Sequence, residues 1–328
     1  MDRSEVAQAA LPGARSHRGR RLSVVIPMHN EEAVLAALFE RLDAAMADLG
    51  VELEIVCVDD GSRDGTFELL TARAATDRRL RILALSRNFG KEAALTAGLS
   101  EATGDLVVPF DADLQDPPEL IAEFLALWEQ GYDVVYGVRA DRRSDTRLKR
   151  LSATLFYRVF NALSDHPIPA STGDFRLMDR KVVDALMQLP ERNRFMKGLF
   201  AWVGYRQVGV PYVRPARAAG ASSWGYSKLW RFALDGVTSF STAPLRIWTS
   251  VGVVAALLAV LYGLVLIVRV LFIGRDVPGY ASMMAVILFG FALQMIAFGV
   301  IGEYVGRVYE EVKGRPLYMV RERVGFDS

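Results

Sequence analysis

The stretch that decides the fold is Val107–Pro118, which reads VVPFDADLQDPP. Its apolar start belongs to the run Leu106–Phe110, which predicts a buried strand that ends in two carboxylates, Asp111 and Asp113. Ligands of open α/β sheets bind outside the carboxyl ends of the strands, and Mg²⁺ takes one or two carboxylates together with substrate phosphates. The pattern therefore predicts a metal and phosphate site. The competing interpretation is a helix N-cap, which we favour for Asp116 because two prolines follow it.

Outward from this strand, short apolar runs alternate with amphipathic stretches from residue 22 to residue 139. The predicted strands are 22–26, 53–58, 80–85, 106–110 and 134–138, with helices near 31–49, 66–76, 91–102 and 118–130. Strands that alternate with helices indicate βαβ units and a mainly parallel sheet, so the fold class is α/β. Beyond residue 139 the alternation stops, and we predict strands at 175–178 and 206–213 with helices near 180–188 and 194–202.

Apolar residues make up 52% of the 328 residues and concentrate near the C-terminus. Residues 247–268 and 277–302 are uncharged and long enough to cross a bilayer core, which predicts two transmembrane helices. A buried helical hairpin in a soluble domain is the alternative. Residues 227–242 carry charged and apolar side chains on opposite helical faces. They predict an amphipathic helix, which lies either in the membrane interface or against the α/β domain.

The charge pattern separates the possible partners. The net charge of +1 provides no electrostatic argument for nucleic acid. Arg246 precedes the first apolar run and Arg307 follows the second, so the positive-inside rule places both termini in the cytoplasm. Cys57 is the only cysteine, which excludes a disulfide within the chain. The basic N-terminus lacks an apolar stretch, and we expect a disordered tail instead of a signal peptide.

These patterns divide the chain into five predicted parts. They are a disordered basic tail (1–21), an α/β domain (22–226), an amphipathic helix next to the membrane (227–246), two transmembrane helices (247–302) and a cytoplasmic C-terminal tail (303–328).

Polar residues follow three further predicted strands. The segments are Pro27–Glu32 (PMHNEE), Asp59–Thr66 (DDGSRDGT) and Ser86–Lys91 (SRNFGK). Turn chemistry explains the glycines and Asp64, and a helix cap would explain Asn30. Neither requires two acids at one strand end or a lysine nearby. Because parallel strands end on the same side of a sheet, we expect these side chains to gather around the first site.

Together these motifs resemble glycosyltransferase family 2 from about Leu22 to the C-terminus. The matching stretches are VVIP…NE (24–31), VDDGS…DGT (58–66) and DADLQDPPE (111–119). The stretches RNFGKE (87–92), TGDFRL (172–177) and DGVTSFS…PLR (235–246) resemble one branch more narrowly. That branch comprises the polyprenyl-phosphate glycosyltransferases, relatives of dolichol-phosphate mannose synthase that include bactoprenol glucosyltransferases, with two C-terminal spans.

The resemblance implies a GT-A catalytic domain and a role for each matching residue. The implied donor-binding residues are Pro27, Asn30, Glu31, Asp59, Lys91, Asp111 and Ala112, with Asp60 as a further candidate. Those implied to hold Mg²⁺ or Mn²⁺ with the diphosphate are Asp111, Asp113 and Gln115. Those implied to meet the acceptor phosphate are Arg139 and Arg150. Those implied at the reacting centre are Asp113, Asp174 and Arg176. For Asp174 an orienting role, a base and a turn cap all stay open.

The implied activity is inverting transfer of a hexose from a nucleotide sugar, UDP-glucose or a related UDP-sugar, to undecaprenyl or another polyprenyl phosphate. The implied location of the reaction is the cytoplasmic face of the bacterial inner membrane, and the implied product serves cell-envelope glycan modification. Relatives suggest a homo-oligomer, namely a tetramer. A phosphate acceptor is largely ionised near neutrality, which agrees with the lack of a histidine in a base position.

Three alternatives remain open from the sequence. One is a mannosyltransferase that uses GDP-mannose, and the second is a processive polysaccharide synthase. That second class usually carries a Gln-x-x-Arg-Trp element and more spans, whereas no tryptophan here follows an arginine. The third is a non-enzymatic membrane scaffold, against which the joint presence of Asp111, Asp113 and Gln115 argues.

Overall fold

The computed structural model describes residues 15–140, 172–192, 194–213, 243–273 and 279–326. Its strands are β1 Arg21–Met28, β2 Glu52–Asp59, β3 Leu80–Leu85, β4 Leu106–Pro109, β5 Val134–Arg139, β6 Thr172–Asp179, β7 Gln207–Tyr212 and β8 Val320–Val324. Its helices are α1 Leu35–Met46, α2 Thr66–Ala74, α3 Lys91–Glu101, α4 Ile121–Glu129, α5 Arg180–Met187, α6 Met196–Trp202, α7 Ala243–Ile273 and α8 Tyr280–Lys313, with a 3-10 turn at Pro118–Leu120.

The described strands form one sheet in the order β7-β5-β6-β4-β1-β2-β3-β8. β1 runs parallel to β2 and β4, β2 to β3, and β5 to β7. β6 is antiparallel to β4 and β5, and β8 is antiparallel to β3. Consequently β1 to β5 and β7 end on one side of the sheet, and β6 and β8 begin there. We call this side the carboxyl end of the sheet and the opposite side its amino end. The predicted α/β class is confirmed.

The central strands are apolar on both faces because helices cover both. Val24 of β1 belongs to the same buried hydrophobic cluster as Leu38 of α1 on one face, and Val25 to the same cluster as Ala94 of α3 on the other. α3 lies close to β1, since a Cβ on Gly98 would collide with the side chain of Val25. This packing fixes the first turn of α3 at the carboxyl end of the sheet.

Parts of both predicted tails belong to the fold where the structure describes them. At the N-terminus, Nη2 of Arg15 donates to Asp133 at 3.0 Å, and Nδ1 of His17 lies 2.8 Å from a carboxylate oxygen of Glu129. At the C-terminus, α8 continues to Lys313 and β8 joins the sheet beside β3. β3 would otherwise present unpaired backbone groups at the side of the sheet, and β8 pairs them. The charged sequence of β8, VRERV, conceals a strand from hydrophobic patterning.

The helices α7 and α8 contain two segments, Ile247–Leu266 and Ser282–Lys313, that are long and apolar enough to cross a membrane. None of the most apolar window of either segment is buried inside the structure, which contradicts the alternative of a buried hairpin in a soluble domain. So large an exposed apolar surface is typical of contact with membrane or with another protein. The predicted amphipathic helix at 227–242, the domain boundary at 226 and Arg150 lie outside the described residues.

Candidate active site

The loop after β4 carries the acids that open the site. The backbone N–H of Gln115 donates to Oδ1 of Asp113 at 3.1 Å, and Leu114 between them has a φ of +55°. A leucine reaches this left-handed conformation at a cost of about 1–2 kcal/mol. Such strain is common at ligand sites, where the surrounding structure holds it in place. The loop thus keeps Asp111, Asp113 and Gln115 together at the carboxyl end of the sheet.

Lys91, the first residue of α3, bridges two of the predicted acids. Its Nζ lies 2.7 Å from Oδ1 of Asp111 and 2.7 Å from Oδ2 of Asp174 near the start of β6. Desolvation works against the charged lysine, yet the carboxylates of Asp174 and Asp111 raise its pKa. Burial alone would raise the pKa of Asp174, and Lys91 lowers it well below its usual range. Asp174 therefore stays ionised, and its Oδ1 is buried without a partner among the described residues.

Glu92, the next residue, was not predicted from the sequence. Burial and the charge of Asp174 raise the pKa of Glu92 to about 8. Its Oε2 is buried and has no partner within the described ranges. The sequence indicates only that Glu92 lies in the first turn of a helix, so its closeness to Asp174 follows from the tertiary fold.

Glu31 completes an acidic cluster with the loop after β4. Burial, followed by the charges of Asp113 and Asp111, raises the pKa of Glu31. Among the described residues no group of three Asp, Glu, His or Cys side chains could hold a metal ion alone. Two carboxylates and the Gln115 carboxamide nevertheless fit a divalent ion that shares its coordination with substrate phosphates. Glu31 shows that this cluster is electrostatically unfavourable without added positive charge.

The loops after β1 and β2 are joined by hydrogen bonds through Asn30. Its Oδ1 accepts from the N–H of Arg63 at 2.8 Å, and its own N–H donates to Oγ of Ser62 at 2.9 Å. Asn30 has a φ of +57°, and α1 begins only at Leu35 after a Val34 cap. The interpretation of Asn30 as a helix cap is therefore wrong. Pro27, also predicted at the donor, stands in β1 opposite Val58.

Asp59 and Asp60 are neighbours in sequence with opposite roles. Both carboxylate oxygens of Asp60 accept backbone N–H groups, from Phe89 at 2.7 Å and Gly90 at 2.8 Å. Oδ1 of Asp59 accepts from the N–H of Ser62, but its Oδ2 is buried without a partner in the described part of the chain. Asp60 therefore fixes the loop after β3, and its contact with the donor stays a prediction. Asp59 keeps an acceptor for a ligand N–H.

Arg139 ends β5 opposite Tyr212, the last residue of β7. Desolvation lowers the pKa of Arg139, but its hydrogen bond with Tyr212 and the charges of Asp116 and Asp111 raise it overall. The Tyr212 hydroxyl donates to Oδ1 of Asp116, and burial with this contact raises the pKa of Tyr212 to about 12. Asp116 is therefore not the predicted helix cap, because Pro117 holds that position without a side-chain cap bond.

Arg176 is buried, and its predicted role at the reacting centre stays a prediction. Its side chain is 4% exposed, and the centre of its guanidinium lies 3.7 Å from the ring centroid of Phe200. Its Nη2 donates to the carbonyl oxygen of Gly173 at 2.9 Å, and burial lowers its pKa to about 10. Arg176 thus stabilises the backbone next to Asp174 through its bond to Gly173. Ala112, predicted at the donor, is also buried.

Comparison with known proteins agrees with the motifs. Residues 23–187 match the family described as Glycosyl transferase family 2, and residues 243–308 match the GtrB C-terminal hairpin. An uncharacterised glycosyltransferase of Synechocystis is 54% identical over 93% of this chain and 96% of its own length. The SfII prophage-derived bactoprenol glucosyl transferase of Shigella flexneri is 45% identical over 92% of this chain and 98% of its own length.

Among solved structures, mannosyl-3-phosphoglycerate synthase from Rubrobacter xylanophilus covers 71% of this chain and 75% of its own, with 21% identity and a TM-score of 0.46. The family match and the two relatives confirm the resemblance that the motifs indicated. The chain belongs to glycosyltransferase family 2 and carries a GtrB-type C-terminal hairpin behind its catalytic domain.

Proposed function

We propose that this enzyme transfers a hexose, with inversion, from a nucleotide sugar to the phosphate of a membrane polyprenyl phosphate. One observation carries the proposal. The carboxyl end of the sheet, which holds Asp111, Lys91 and Arg139, is also the side from which both connections to the apolar hairpin leave.

The chain path brings the hairpin close to the site. β7 ends at Tyr212 opposite Arg139 before the chain continues toward α7, and β8 begins at Val320 opposite Leu85. Residues 314–319, which separate α8 from β8, can span about 20 Å when fully extended. The end of α8 is therefore held within about 20 Å of the carboxyl end of β3, on the side of the sheet that holds the acids. A phosphate at headgroup depth is an acceptor that this arrangement suits.

The donor half of the site suits a nucleoside diphosphate. The unpartnered Oδ2 of Asp59 can accept an N–H from a nucleobase. Asp111, Asp113 and Gln115 would hold Mg²⁺ or Mn²⁺ with the diphosphate, and such an ion stabilises the leaving group as a Lewis acid. Lys91 keeps a positive charge between Asp111 and Asp174.

The acceptor half suits a group that needs no activation. A phosphate monoester is largely ionised near neutrality, since its second pKa is about 6. Arg139 presents a planar guanidinium that matches phosphate geometry. Asp174, with its lowered pKa, is a weak proton acceptor, so we assign it an orienting role beside Lys91. Positioning and electrostatics then supply the rate enhancement.

The names of the relatives support the proposed donor and acceptor, and the charge pattern supports the proposed location in the membrane. The Shigella flexneri protein is named a bactoprenol glucosyl transferase, which favours undecaprenyl phosphate as acceptor and UDP-glucose as donor. A mannosyl donor, GDP-mannose, is the rival. The basic residues outside the two apolar segments favour the bacterial inner membrane with both termini in the cytoplasm.

Transfer can be tested with purified protein in lipid nanodiscs. Labelled UDP-glucose, UDP-galactose and GDP-mannose are offered in turn with undecaprenyl phosphate and Mg²⁺ or Mn²⁺. We expect label from UDP-glucose to enter the organic phase. No label should enter it when the acceptor is undecaprenol instead of undecaprenyl phosphate. Label that passes only to soluble acceptors, or no transfer from any donor, would refute the proposal.

A further inference from the structure

We propose that Asp116 and Tyr212 form a positioning pair that fixes Arg139 for the acceptor phosphate and links it to the loop of Asp111 and Asp113. This inference rests on the proposed function, because it deepens the role of the same site. The pair joins the loop after β4 to the end of β7, and its two residues are 96 positions apart in the sequence.

The contacts form a continuous chain of polar side chains. Arg139 and Tyr212 are partners in register at the last positions of the parallel strands β5 and β7. The Tyr212 hydroxyl donates to Asp116 and lies close enough to the guanidinium of Arg139 to raise the pKa of that arginine. Tyr212 is 6% exposed and Asp116 is 2% exposed, so water does not compete strongly for these bonds.

Arg139 differs from an arginine that serves only the fold. Arg180, at the amino end of the sheet, donates from Nε to the carbonyl of Gly104 at 2.8 Å and from Nη2 to that of Ala102 at 2.8 Å. The Nε of Arg139 is buried and has no hydrogen-bond partner among the described residues. A buried donor without a partner destabilises the fold, which favours a ligand as its missing acceptor.

The surroundings of the guanidinium are shaped to hold it. A Cβ on Gly173 would lie 3.3 Å from Nη2 of Arg139, so glycine leaves the guanidinium room beside the start of β6. Phosphate recognition by arginine depends on the orientation of its planar fork. Tyr212 restricts that orientation, and Asp116 restricts Tyr212. Because Asp116 follows Asp113 by three residues, the donor loop and the acceptor arginine are held by one network.

A double-mutant cycle tests the pair in nanodiscs, with the KM for undecaprenyl phosphate, kcat and the Kd for UDP-glucose as readouts. Tyr212→Phe should raise the lipid KM about 10-fold, the scale of one hydrogen bond to a charged group, with kcat within about threefold and donor Kd unchanged. In Arg139→Ala, adding Tyr212→Phe should change KM by less than about twofold, because the pair acts through Arg139.

Tyr132→Phe is the matched control. Tyr132 is a half-buried tyrosine at the amino end of the sheet, with the guanidinium of Arg206 4.5 Å from its ring centroid. Its variant should leave the lipid KM unchanged. Asp116→Asn keeps an oxygen that accepts from Tyr212 and should stay within about threefold of wild type, whereas Asp116→Ala should reproduce the KM rise of Tyr212→Phe.

Melting temperatures separate positioning from folding. If Tyr212→Phe fails to fold, the two Asp116 variants decide the question. An unchanged lipid KM in Tyr212→Phe and Asp116→Ala would overturn the pair, and so would additive effects of Tyr212→Phe and Arg139→Ala. If the unsubstituted protein transfers no sugar to lipid phosphate, the proposed function fails and this role fails with it. Normal transfer with unaffected variants overturns only the pair.

Discussion

The two ends of the sheet differ in how fully the charged groups described below are hydrogen-bonded. At the amino end, Glu54 accepts hydrogen bonds from Ser23 and from the N–H and hydroxyl of Thr103 at 2.9 and 2.8 Å, and pairs with Arg81 at 2.7 Å. At the carboxyl end, Asp59, Asp174 and Arg139 each keep a buried polar atom without a partner in the described ranges. Buried polar groups are normally hydrogen-bonded, so these three atoms favour a ligand at the carboxyl end of the sheet.

Two glutamates show the same contrast in their pKa values. Burial alone would raise the pKa of Glu54, yet the hydrogen bonds with Ser23 and Thr103 lower it. Burial together with Asp113 and Asp111 raises the pKa of Glu31. The amino end is arranged for folding, whereas the carboxyl end tolerates repulsion that a bound cation would relieve.

The largest expected effect comes from Asp113→Asn. Asparagine keeps an oxygen for the Gln115 N–H but removes a charged metal ligand, so we expect kcat to fall about 1,000-fold with little change in melting temperature. The same substitution at Asp105, which directly precedes β4 and lies 3.5 Å from Arg20, is the matched control. Initial rates and thermal melts check both variants. Full activity of Asp113→Asn, or of the wild type in excess chelator, would contradict the metal site.

Glu54→Ala should have the reverse effect of Asp113→Asn: a lower stability with little change in catalytic rate. It leaves Ser23, Thr103 and Arg81 without their acceptor, and we expect the free energy of unfolding to fall by about 3 kcal/mol. Because the folded pKa of Glu54 is lowered, its stabilisation exists above the unfolded value and is lost as pH falls. The difference from wild type should therefore shrink below about pH 4.3.

Denaturant unfolding from neutral to acidic pH measures this difference. Glu52→Ala is the control, because its exposed pair with Arg21 at 3.6 Å should contribute less than about 1 kcal/mol. Catalytic rate per folded molecule should stay near wild type for both variants. A large loss of catalytic rate in folded Glu54→Ala would contradict the claim that the amino end serves stability and the carboxyl end serves catalysis.

Glu92→Gln should have an effect on stability that is small at acidic pH and grows as the pH rises. With its pKa raised to about 8, folded Glu92 keeps a proton that the unfolded chain has lost. Wild-type stability should therefore fall as pH rises from about 4.3 to 8, whereas glutamine cannot ionise. The melting temperature of Glu92→Gln minus that of wild type should grow across this window.

The control for Glu92 lies on the same helix. Glu101 ends α3 and pairs with Arg323 at 2.8 Å, and Glu101→Gln should show no such growth between pH 5 and pH 8. Scanning fluorimetry at several pH values measures both. A constant difference for Glu92→Gln would show that its carboxyl group does not carry the extra proton.

Much of the catalytic fold is predictable from the sequence because its signals are local. The five apolar runs match β1 to β5 to within two residues at each end, and the polar segments after them do gather at one end of the sheet. β8 was missed because pairing with β3 stabilises it, and its own residues are mostly charged. The burial of Arg176 was not predicted, because a motif does not reveal on which side of a strand a side chain is buried.

The sequence by itself determined which carboxylates reach the carboxyl end of the sheet, since strand ends follow from runs of apolar residues. Only the tertiary structure decided which of them keep an atom for a ligand. Asp59 and Asp60 are adjacent, yet only Asp60 meets the backbone of Phe89 and Gly90. Asp116 looks like a helix cap until β7 brings Tyr212 to it. Such bonds depend on strand register between distant segments, which no local pattern encodes.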